Sequence, residues 1–115
     1  MSEQIENLAN PRVQQLLLAE ALDAAPLLVF VADEQMRYVA VSQTACDVLG
    51  YTRGELDGSM LQARRQEGST PIRAKDGRLV PFFYNARSTT VAGMQYFVAV
   101  GFVEEQLPPV LRGRL

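Results

Sequence analysis

Two tight-turn signals, Lys75-Asp76-Gly77-Arg78 and Ala92-Gly93, punctuate the last third of the chain and constrain its fold more than any other feature. Asp-Gly and X-Gly pairs admit the positive φ that short hairpin loops require, so the β-rich runs beside them must fold back on one another. Those runs are Thr70 to Ala74, Leu79 to Val91 and Met94 to Val103. Together they predict a three-stranded antiparallel meander. Its last strand, with Tyr96, Phe97, Val98 and Val100, is the most apolar. Pro108-Pro109 forbids a helix directly after the sheet.

The first half reads differently. Asn10-Pro11 is a helix start, with Asn as N-cap and proline at the first helical position. The helix from Pro11 to Ala24 carries Val13, Leu17, Ala21 and Ala24 on one stripe and Leu18, Leu22 and Ala25 on the next. Leu16 widens an arc that already exceeds what one packing surface needs, and Pro26 ends the helix. Leu27 to Ala32 and Arg37 to Val41 predict a hairpin around Asp33-Glu34-Gln35. Ser42 is placed to cap a short helix, Gln43 to Leu49, that Gly50 stops. Thr52 and Glu55 have capping-box spacing, so a further helical turn begins there and ends near Gly58. In the weakly patterned stretch that follows, Met60 and Leu61 are the expected anchors. Strands at both ends with helices between them make an α+β class.

A chain of 115 residues fits one domain, and 48% apolar against 21% charged residues is globular composition. No apolar run approaches the roughly 20 residues of a membrane span, so no membrane association is expected. The opening MSEQIENLANPR is acidic and polar, the reverse of a secretory signal, and the expected location is cytoplasmic. The net charge is −2 and the 11 basic residues are scattered, with Arg64 and Arg65 followed at once by Glu67. Nucleic acid is therefore not expected as a partner. One cysteine makes no internal disulfide. The absence of histidine excludes His-based metal sites, His-ligated haem and His-containing catalytic triads.

The order and spacing of these pieces resemble the PAS family over roughly residues 25–103. The resemblance is carried by Tyr38-Val39-Ala40-Val41-Ser42 and by Cys46 through Gly58 with its Gly-Tyr-x-x-x-Glu-Leu-x-Gly segment. Lys75-Asp76-Gly77-Arg78 with Pro81, and Gln95 through Val100, complete it. It implies a five-stranded antiparallel sheet in spatial order 2-1-5-4-3, short helices on one face and an N-terminal flanking helix. The corresponding division is 1–24 flanking helix, 25–103 core and 104–115 tail. It also implies an ion pair for Glu55 and a small-molecule pocket between helices and sheet. The stretch after Leu56 is shorter than usual, so the helix that covers such a pocket is truncated. Gly58-Ser59-Met60-Leu61-Gln62 lacks the cysteine of the light-sensing flavin branch, and the glutamine of its last strand is replaced around Gly101. Neither covalent flavin nor haem is expected, and no other cofactor.

Residues expected between sheet and helices, and so candidates for a ligand pocket, are Phe30, Val41, Cys46, Leu49, Met60, Leu61 and Phe83. Alternation puts Phe82 and Tyr84 on one face and Phe83 and Asn85 on the other, and leaves open which face is inward. Candidates for a homodimer interface are Val13, Leu17, Leu18, Ala21 and Leu22 on the first helix, with Tyr96 on the sheet. Cys46 reads as a small buried hydrophobe rather than a redox thiol, because Asp47 beside it opposes a thiolate. No paired carboxylates suggest catalysis, and an enzyme built on Tyr38 or Tyr84 with a buried aspartate is the least favoured reading. The expectation is a non-enzymatic sensory or interaction module, with a small ligand, a second copy, or a kinase or regulator effector domain as partner. The alternative is a ligand-free dimerisation or docking domain of a larger regulator.

Overall fold

A computed structural model of the protein describes residues 10–59 and 67–107. Helix α1 spans Pro11–Ala24; the Asn10 side chain accepts from the backbone N–H groups of Arg12 at 2.9 Å and Val13 at 3.4 Å. Strands β1 (Leu28–Ala32) and β2 (Tyr38–Val41) form the first hairpin. Helix α2 (Gln43–Leu49) is capped by Ser42 and stopped by Gly50 at φ 79. The short α3 (Arg53–Leu56) begins with a complete Thr52/Glu55 capping box. Strands β3 (Glu67–Arg73), β4 (Leu79–Val91) and β5 (Met94–Phe102) make the meander, followed by a single 3-10 turn at Glu104–Gln106.

The sheet is antiparallel with spatial order β2-β1-β5-β4-β3. β3 begins at Glu67, ahead of the Thr70 expected from the sequence. Glu-Gly-Ser is poor strand sequence, but the partner strand extends past it and pairs Glu67 with Asn85. Pro71 is tolerated because β3 is an edge strand. In β2 the register shifts between Val31 and Ala32 of its partner, so Tyr38 pairs with Ala32 while Val41 pairs with Phe30. That bulge lets two residues of opposite parity, Tyr38 and Val41, both turn inward, while Val39 and Ala40 are exposed.

One face of the sheet carries Leu28, Phe30, Ala32, Ile72, Val80, Phe82, Tyr84 and Ala99 into the core, against Ala45, Cys46, Val48 and Leu49 of α2 and Leu56 of α3. Ser42 ties these layers together. Its buried hydroxyl accepts from Val29 N–H at 3.0 Å and Ala45 N–H at 3.3 Å, and donates to the Leu27 carbonyl at 3.1 Å. Replacing Ser42 with alanine leaves those groups without that partner and costs about 1–3 kcal/mol, read as a lower urea midpoint with unchanged slope.

Candidate functional site

Of the residues expected to form a pocket, Phe30, Val41, Cys46 and Leu49 lie together in the buried core. Met60 and Leu61 lie outside the described residues. Phe83 requires a correction. It points to the opposite face, half-buried, and its ring stacks on Phe102 with centroids 5.5 Å apart. The strand alternates as expected, but Phe82 and Tyr84 are the inward pair.

The inner face is occupied by a run of rings. Phe30 meets Tyr38 at 5.2 Å and Phe82 edge-on at 5.5 Å, and Phe82 stacks on Tyr84 at 5.1 Å. These separations are those of packed aromatic pairs, so the described part of the inner face is lined by one continuous ring cluster. Cys46 is buried among them; desolvation raises its thiol pKa, outweighing the opposing pull of Arg53, and Asp47 pushes the same way as burial. No group of three or more potential metal ligands occurs among the described residues.

The ionised carboxylates are structural. Glu55 pairs with Lys75 at 2.6 Å and accepts from Thr52 N–H, and these bonds, Lys75 first, hold its pKa below the usual range. Asp76 accepts from the backbone and side chain of Arg78 within the hairpin turn, which lowers its pKa. Asp23, near the end of α1, accepts from Gln43 N–H at 2.9 Å and from the Arg53 guanidinium at 2.6 Å; its pKa is lowered, chiefly by the first bond. Arg53 also donates from Nε to the Val41 carbonyl at 3.1 Å. Thr44 donates to the Ala25 carbonyl at 2.7 Å beside them.

The exposed chemistry is apolar and lies elsewhere. Helix α1 packs against α2 yet buries none of its residues. Leu16, Leu17, Leu18 and Leu22 are 62%, 53%, 69% and 40% exposed, and Ala21 is exposed beside the half-buried Val13. The outer sheet face presents Val31, Phe83, Tyr96, Val98, Val100 and Phe102, all half-buried, rimmed by exposed Val39, Leu79, Val91 and Met94. At one end an open groove of about 470 Å³ runs past Phe83, Pro81 and Leu79 towards Glu104. Of the dimer candidates, all five on α1 and Tyr96 on the outer sheet face are described. The aromatic pairs Phe82-Phe83 and Tyr96-Phe97 already point to an apolar sheet surface in the sequence, without its reach into β1. The signal for that reach was there: Leu28–Ala32 and Tyr96–Phe102 are apolar at both parities, as strands covered on both faces are.

No helix among the described residues is long and apolar enough to cross a membrane. No curated protein matches the chain significantly. Solved structures do. A PAS domain of an HTR-like protein from Haloarcula marismortui superposes with TM-score 0.62 at 16% identity, covering 78% of this chain and 96% of that one. A PAS domain from a two-component sensor histidine kinase gives 0.68 at 11% identity, covering 82% and 99%. A domain of a sensory box sensor histidine kinase/response regulator from Geobacter sulfurreducens gives 0.62 at 15%, covering 82% and 97%. These likenesses establish the fold. The family model described as PAS domain matches residues 12–83, from the start of α1 into β4, which is more than half of the chain. With that match and the 2-1-5-4-3 sheet, the chain belongs to the PAS domain family, whose members are sensory and signalling modules.

Proposed function

We propose that this PAS domain transmits its signal by pairing with a second copy through α1 and the outer sheet face, without enclosing a small molecule. The observation that carries the reading is α1 itself, fourteen residues with a wide leucine arc and no buried side chain. A helix of that length is roughly 21 Å long, so a stable interface of ~1,200–2,000 Å² takes in the outer sheet face as well as α1. Twofold pairing brings each helix the same complementary surface. The ring cluster on the inner face supports a ligand-free core. A cytoplasmic setting suits the single buried, unpaired cysteine. The histidine-kinase context of two similar structures suggests a kinase or regulator module as the output partner.

Sedimentation equilibrium on the full chain tests the reading. The expected mass is twice the 12.7 kDa of the monomer, falling to the monomer value in the Leu17→Glu, Leu18→Glu variant with its circular dichroism unchanged. A full chain that stays at monomer mass into the millimolar range ends it. A metabolite that raises the melting temperature in a thermal-shift screen removes the ligand-free part.

A further inference from the structure

We infer that Asp23 and Arg53 form a releasable latch that sets the angle at which α1 leaves the core, and so gates the helix for a partner. The inference rests on the reading of α1 as the pairing element. With no buried side chain, α1 has little apolar packing to fix its direction. At its C-terminal end Asp23 joins Gln43 N–H and the Arg53 guanidinium, and the Ala25 carbonyl takes the Thr44 hydroxyl. The guanidinium is shared. Through Nε it holds the carbonyl of Val41, the last residue of β2, so one planar group spans sheet and helix. A displacement of the β2 end therefore shifts the same fork that grips Asp23. The Arg53 and Asp23 side chains are 48% and 43% exposed, so water and salt reach the pair and its release is not opposed by burial. A buried pair would weld the helix in place; this one holds it weakly enough for a competing surface to take it.

The test is a distance distribution between nitroxides at Gln15→Cys and Thr90→Cys, measured by double electron–electron resonance; the buried Cys46 thiol is not expected to label. It is run in the full chain carrying Leu17→Glu and Leu18→Glu, so that α1 is read on its own core whether or not the parent chain pairs. Failure of pairing then shows in sedimentation, and failure of the latch shows in the distances. Asp23→Asn and Arg53→Gln are each expected to raise the undocked population roughly two- to fivefold. The double variant is expected to add nothing beyond the larger single effect, because the two share one interaction. Arg53→Lys keeps the charge without the fork and restores docking in part. NaCl at about 1 M, where screening acts within ~3 Å, broadens the unsubstituted distribution. The core melting temperature stays put throughout. A distribution unchanged by Asp23→Asn, or single effects that simply add, overturns the latch.

Discussion

Truncating Phe82 to alanine is expected to destabilise the domain by about 3–5 kcal/mol, the range for deleting a fully buried phenylalanine. Among the described residues Phe82 is the largest side chain with no solvent exposure, and it is the hub of the ring cluster, in contact with both Phe30 and Tyr84. Its removal takes away transfer free energy and leaves a cavity that a sheet cannot close, since the backbone of β4 is pinned by β3 and β5 on its two sides. A domain of this size has about 5–15 kcal/mol in all, so the variant sits near the edge of folding at ambient temperature. Urea denaturation measures it. Phe83→Ala provides the control: its half-buried ring stacks on Phe102 on the outer face, and its loss is expected to cost about 1–2 kcal/mol. A larger loss for Phe83 than for Phe82 would reverse the assignment of the two faces.

Gly101→Val is expected to be at least as damaging. Gly101 sits in β5, the central strand, paired with Leu28 on one side and Tyr84 on the other. A Cβ built there runs into the Phe83 carbonyl oxygen and falls 2.7 Å from the Tyr84 Cα and 2.8 Å from the Phe82 ring, all closer than real contacts allow. Glycine serves the approach of ring and backbone here, a role that any side chain destroys. Overpacking ordinarily costs about 1–3 kcal/mol through side-chain rearrangement. At Gly101 two of the clashes are with backbone in the middle of five strands, so the loss exceeds that range and the valine variant fails to give a cooperative melt. The alanine variant shares the Phe82 contact. Phe82→Ala therefore costs less in a Gly101→Ala background than alone, and strict additivity between these neighbours would refute the packing described.

Local chemistry was readable because its partners are close in sequence. Asn10, Ser42, and Thr52 with Glu55 cap helices within three residues of themselves, and the structure starts its helices there. Ala92 and Gly93 adopt φ 53 and 77, and the hairpin they join runs from Leu79 to Phe102. An ion pair for Glu55 came from family resemblance and not from spacing, and only the structure supplies its partner, Lys75. The bulge opposite Val31 and Ala32 left no local mark, and it alone allows Tyr38 and Val41 to share a face. Asp23 and Arg53 are thirty positions apart, and nothing in either neighbourhood announces the other.

The sequence by itself determined where helices start, where strands turn, and that an α+β chain without histidine has no His-based chemistry. Those are consequences of φ preferences, capping and side-chain inventory, each local. Only the tertiary structure decided which face of β4 is the core. Phe82 and Phe83 are equally apolar, so periodicity separates them without ranking them; the choice falls to the volumes of Phe30, Tyr38 and Tyr84 and the void at Gly101 that receives the Phe82 ring.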